Sequence, residues 1–172
     1  EPSAFALATV VVSPAPRPSV RMLLLKGVDE RGFVFYTNLE SRKGRELRAN
    51  PQAAMCFHWA PLELQVRVEG PVSAVTREEA DGYFASRSRG SQIGAWASRQ
   101  SQPLESREAL HARVTELERK FAGSPVPRPD FWSGFRLVPE RIVFWKGMPT
   151  RPHVPDLYTR SEDGWSVETL YP

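Results

Sequence analysis

The residues with the clearest chemical meaning in this chain are cations set at the ends of apolar runs. Arg21 and Lys26 bracket MLLL, Arg42 and Lys43 follow Ser41 in SRKGRELRANP, and Arg87 and Arg89 stand with Ser91 in YFASRSRGSQIGAW. Ser41 is a good helix N-cap and Asn50-Pro51 a stop, so the spacing predicts a short helix between them. Arg42 and Lys43 then occupy its first turn, where the helix dipole favours Asp or Glu. Two readings stay open on these residues alone. Either an anion such as a phosphate sits there, or the two cations are solvent-exposed and cost only a few tenths of a kcal/mol. Arg87 and Arg89, beside small residues and Ser91, have the makings of an anion cradle. Singly each is a solvated charge. Together they point to one or two phosphate-bearing ligands, because phosphate recognition favours Arg forks with hydroxyl and amide donors.

Other chemistry finds little support. There is no GxGxxG after a strand, no Walker loop and no HExxH. His58 falls in a predicted strand, His111 among charged residues of a predicted helix, and His153 far from both, which argues against a metal site. The single cysteine, Cys56, excludes an intrachain disulfide, and its apolar surroundings AAMCFHW predict a buried, inert thiol. Cytoplasm is the default expectation for such a chain. Its 23 basic and 20 acidic residues leave a net charge of +3, too little for a nucleic-acid binder. No apolar run reaches the roughly 18 residues of a membrane span, so no membrane association is expected.

The elements that must position these cations are mostly strands. Apolar, β-rich runs lie at 4–12, 20–25, 33–37, 53–59 and 64–75, separated by the turns SPAPRP, DERG and APLE. LQVRVEG alternates, which predicts one wet face and one dry face. Thr76 and Glu79 form a capping box for a helix over 76–86. Ser106 begins a longer helix ending at Gly123, with Leu110, Val114, Leu117 and Phe121 on one stripe. FRLVPERIVFWKG reads as one strand pair, and DLYTRS with GWSVETL as another around the EDG turn. The expected fold is mostly β with flanking helices, an antiparallel barrel in one domain over 1–172.

RMLLLKG, FVFYTNLESRKGREL, LQVRVEGPV, YFASRSRGSQIGAWASRQSQ and FWKG follow in order, and together they resemble the pyridoxamine/pyridoxine 5′-phosphate oxidase family over nearly the whole chain. The resemblance implies an FMN-binding split β-barrel working as a homodimer, with its FMN sites at the subunit interface. It implies that Arg42 and Lys43 hold the FMN phosphate, which supplies the anion that their placement calls for. Arg21, Met22, Leu23, Leu24, Leu25 and Lys26 match the strand along the flavin. Tyr36, Thr37, Gln65, Gln100, Ser101 and Trp145 match further flavin contacts. Lys26, Tyr83, Arg87 and Ser91 match the positions that take the phosphate of a vitamin B6 phosphate. Arg151 and His153 match the catalytic pair that embraces the substrate ring. The implied reaction oxidises pyridoxine or pyridoxamine 5′-phosphate to pyridoxal 5′-phosphate and reduces O2 to H2O2.

The chain departs from the family's pattern in places. The usual Arg-Leu-His-Asp-Arg reads RPHVP at 151–155, so Pro155 replaces a flavin-contacting arginine, and Leu64 stands where an arginine is common. Two alternatives therefore stay open beside the oxidase: a related split-barrel flavin oxidase with another substrate, and a non-catalytic FMN- or pyridoxal-phosphate-binding protein.

Overall fold

A computed structural model describes residues 1–147 and 154–172. Among these, the chain forms ten strands and four α-helices. The strands are β1 (Ala4–Val11), β2 (Arg17–Leu24), β3 (Gly27–Asp29), β4 (Gly32–Asn38), β5 (Gln52–Trp59), β6 (Leu64–Ala74), β7 (Trp132–Leu137), β8 (Arg141–Lys146), β9 (Asp156–Ser161) and β10 (Gly164–Thr169). The helices are α1 (Arg42–Ala49), α2 (Arg77–Ser86), α3 (Arg89–Ala97) and α4 (Arg107–Lys120), and none is long and apolar enough to cross a membrane. The chain divides into two compact units, 1–35 with 46–73 and 135–172, and 36–45 with 74–134.

The first unit is built on an antiparallel sheet in the order β10-β9-β8-β6-β5-β1-β2. Its dry face follows from period-two alternation: Phe5 and Leu7 on β1, Met55 and Phe57 on β5, and Val66 and Val68 on β6 are all buried. Phe5 packs against Phe35 and Phe57 with ring centroids 5.9 and 5.3 Å apart, and Phe35 meets Phe135 at 5.9 Å. The short β3–β4 hairpin is clamped by Asp29, whose carboxylate accepts from Arg31 and Arg136, each at 2.7 Å. The hydrogen bond from Arg31 is the main reason that carboxyl titrates below the usual range.

One pairing differs from the sequence expectation. FRLVPERIVFWKG does not fold into a hairpin, because β7 and β8 both pair with β6 rather than with each other. The Val138–Glu140 link lies against β6, where the amides of Val138 and Glu140 donate to the carbonyls of Pro71 and Glu69 at 2.9 Å. A Cβ at Gly70 would stand 2.1 Å from the carbonyl oxygen of Val138, so only glycine lets the link lie this close.

The second unit is helical. The capping box at Thr76 forms as expected, with Thr76 N–H donating to Glu79 at 3.0 Å and Glu79 N–H to Thr76 Oγ1 at 3.1 Å. Ser106 caps α4, which presents Val114 and Leu117 to a core of Phe84, Ile93, Phe121, Val126 and Trp132. The helix α3 was not anticipated. Gly90 and Gly94 lower its intrinsic propensity, and its start is fixed by Ser88, whose hydroxyl accepts from the Ser91 amide.

Candidate functional site

The first turn of α1 carries Arg42 and Lys43. Ser41 caps it, its hydroxyl accepting from Gly44 N–H at 3.2 Å, and a Cβ at Gly44 would stand 2.4 Å from the Leu39 carbonyl oxygen. Arg42 is exposed but Lys43 is only 7% exposed, so the reading of solvent-exposed cations does not extend to Lys43. The Lys43 ammonium donates to Gln100 Oε1 at 2.8 Å, Thr37 Oγ1 at 3.2 Å and Ser41 Oγ at 3.4 Å. The Arg42 amide donates to Ser101 Oγ at 3.1 Å, and Ser101 takes a left-handed φ of 70° to present that hydroxyl. Asn38, buried beside them, donates to the Ser98 carbonyl at 3.3 Å. Five predicted cofactor residues, Thr37, Arg42, Lys43, Gln100 and Ser101, thus converge in the second unit. Two cations, two hydroxyls and a helix N-terminus make a donor set that fits an anionic group.

A second cluster of the same unit gathers around Trp132. Tyr36 and Tyr83 stack with centroids 4.1 Å apart, and Tyr36 lies nearly parallel to Trp132 at 5.4 Å. Arg87 caps the C-terminus of α2, and its Cζ sits 4.7 Å from the Trp132 ring centroid and 5.6 Å from that of Phe84. Nη1 of Arg87 is buried and has no hydrogen-bond partner among the described residues. Desolvation pushes this guanidinium below its ordinary pKa, with Tyr83 opposing the shift. Such an orphaned donor fits a site that receives an acceptor from a ligand. Ser91 bonds the Ser88 hydroxyl at 2.8 Å at the start of α3. Arg89, expected to share the cradle, turns away: it donates to the carbonyls of Phe121 at 2.6 Å and Ser124 at 3.0 Å.

In the first unit, β2 presents Arg21 and Leu23 half-buried, whereas Met22 and Leu24 are exposed on the other face; Leu25, just past the strand, is half-buried. Arg21 pairs with the buried Glu46 at 3.2 Å and donates to Thr9 Oγ1 and Ser19 Oγ, each at 2.6 Å. Lys26 is exposed just beyond the strand, its amide donating to Val34 at 2.9 Å. Gln65 stands opposite Trp145 across the β6–β8 ladder and opposite His58 across β5–β6. Arg151 and His153 lie outside the described residues.

Sequence reasoning missed Trp132, Glu46 and Asn38. None sits at a spacing that marks it, since each acquires its partner through tertiary contact.

Comparison with known proteins adds an independent line. Residues 1–121 match the family model described as pyridoxamine 5′-phosphate oxidase, and residues 132–172 match that of the pyridoxine 5′-phosphate oxidase C-terminal dimerisation region. The chain is 60% identical to a pyridoxine/pyridoxamine 5′-phosphate oxidase of Myxococcus xanthus (strain DK1622), across all of this chain and 82% of that protein. It is 58% identical to the protein of the same name from Gluconobacter oxydans (strain 621H), across all of this chain and 85% of that one. Among solved structures, PhzG from Burkholderia lata 383, in complex with tetrahydrophenazine-1-carboxylic acid, superposes with a TM-score of 0.93 at 34% identity, covering 99% of this chain and 83% of that one. A pyridoxamine 5′-phosphate oxidase-related, FMN binding protein of Nostoc punctiforme PCC 73102 shares the fold, with a TM-score of 0.76 at 20% identity over 99% of this chain and 87% of that one.

Proposed function

The chain belongs to the pyridoxamine 5′-phosphate oxidase family, and from that premise we propose that it is an FMN-dependent oxidase converting pyridoxine or pyridoxamine 5′-phosphate to pyridoxal 5′-phosphate. The observation that carries the reading is the pair of anion-seeking clusters in one unit: the buried Lys43 among hydroxyl and amide groups, and the orphaned Nη1 of Arg87. An FMN phosphate and a vitamin phosphate need two such seats.

When bound, FMN supplies the acceptor for hydride removed from C4′ of the substrate and passes the electrons to O2, giving H2O2. The chain's own residues bind and orient. Lys43, Arg42 and Ser101 would hold the cofactor phosphate, with Thr37 and Gln100 fixing the Lys43 ammonium in place. The resemblance assigns residues 21–26, Tyr36, Gln65 and Trp145 to contacts with the flavin ring. Arg87, Tyr83 and Ser91 would take the substrate phosphate, where the resemblance also assigns Lys26, and binding energy spent away from the bond that breaks would serve positioning. The resemblance assigns Arg151 and His153 to the substrate ring. Loss of hydride and a proton turns the alcohol into the aldehyde directly. The amine gives an imine, which water hydrolyses with release of ammonia.

The match of residues 132–172 to a dimerisation region extends the proposal to a homodimer. Phe144, Trp165 and Val167, exposed by 40, 44 and 55%, offer an apolar face for the second copy. The test is stoichiometric: pyridoxal 5′-phosphate and H2O2 should accumulate one for one from pyridoxine 5′-phosphate in air. Absence of both would overturn the reading. The likeness to PhzG favours one alternative, a split-barrel flavin oxidase for another substrate, which would give flavin reduction by that substrate and none by the vitamin phosphates.

A further inference from the structure

A carboxylate is one way to hold an arginine in place. That arrangement occupies in-plane N–H donors and neutralises the charge the phosphate needs. Arg87 is held differently. Its guanidinium lies over the indole of Trp132, with the Phe84 ring on a second side, at 4.7 and 5.6 Å from the two centroids. An aromatic face attracts a cation through the ring quadrupole and takes none of its N–H groups. Nη1 accordingly remains buried without a partner. Arg89 is the contrast two residues on, with its donors spent on the carbonyls of Phe121 and Ser124.

The indole is itself fixed. Trp132 is 6% exposed and meets Phe84 edge to face at 5.1 Å. Its amide donates to the Pro129 carbonyl at 2.9 Å, and its own carbonyl accepts from Arg128 Nη1 at 2.7 Å. Arg128 in turn pairs with Asp81 on α2 at 2.6 Å. The helix that ends at Arg87 and the ring beneath Arg87 are thus tied together.

We propose that Trp132 is a positioning residue for the substrate phosphate, its indole face holding the Arg87 guanidinium in a desolvated seat with Nη1 kept for an incoming oxyanion. This rests on the reading that Arg87 receives that phosphate.

The test is a double-mutant cycle on the FMN-loaded enzyme, with pyridoxine 5′-phosphate as substrate. Trp132→Leu should raise KM about five- to thirtyfold, the range spanned by one partly or fully desolvated cation–π contact, with kcat within about twofold. Trp132→Phe keeps an aromatic face and should raise KM less. In an Arg87→Ala background, Trp132→Leu should raise KM no further, because the two residues act as one device. A purely structural Trp132 would raise KM by the same factor in both backgrounds, and that result overturns the proposal. So does an unchanged KM in Trp132→Leu. Should Trp132→Leu not fold, Trp132→Phe is measured in both backgrounds, where equal factors again overturn the proposal and non-additive ones support it. An unchanged KM in Arg87→Ala itself would instead overturn the phosphate assignment, and the proposal with it.

Discussion

The Nζ of Lys43 lies 2.8 Å from Oε1 of Gln100, fifty-seven residues further along the chain. A cation in the first turn of a helix opposes the dipole, and burying it adds a desolvation cost. Three oxygen acceptors offset that cost here, and a bound phosphate would do so more fully.

Lys43→Ala should therefore weaken FMN binding. Loss of one charge-assisted hydrogen bond is worth about 1.5–3 kcal/mol, or roughly 10- to 150-fold in the dissociation constant. Titration of the apoprotein by quenching of flavin fluorescence measures it. An unchanged constant would remove Lys43 from the cofactor site.

Arg87→Ala should act on the other ligand. KM for pyridoxine 5′-phosphate is expected to rise by roughly tenfold or more, while FMN content stays normal. Loss of flavin with an unchanged KM would move Arg87 to the cofactor.

Gly70→Ala tests the folding of β6 against the Val138–Glu140 link. Its methyl group would stand 2.1 Å from the Val138 carbonyl oxygen, and relieving that overlap should cost about 1–3 kcal/mol. Urea unfolding should show a lower midpoint with an unchanged slope. An unaltered midpoint would mean that the link moves aside freely.

Cys56 should react slowly. Burial raises its thiol pKa, against a smaller opposing effect of Arg67, so the reactive thiolate forms only at a pH above that of a free cysteine. The alkylation rate as a function of pH should have its midpoint above that of a model thiol. Cys56 is half-buried rather than fully buried as its apolar surroundings suggest, and a midpoint at or below that of the model thiol would contradict even this partial burial.

Much of this was legible in the sequence, for local reasons. The caps at Ser41, Thr76 and Ser106 and the alternation of LQVRVEG depend on residues a few positions apart. The burial of Lys43 was not legible, because it depends on Gln100. Nor could Arg87 and Arg89 be told apart: they share one stretch and one chemistry, and diverge because α3 starts between them and carries Arg89 to the carbonyls of Phe121 and Ser124. The expected β7–β8 hairpin failed because the pattern of a strand shows its wet and dry faces but not its neighbour, and Gly70 lets β6 accept both.

The most direct measurement of the central claim is the visible spectrum of the FMN-saturated protein before and after anaerobic addition of pyridoxine 5′-phosphate. The account predicts bleaching of the flavin band, reversed on admitting air. A band that stays unchanged while the ligand binds would contradict it.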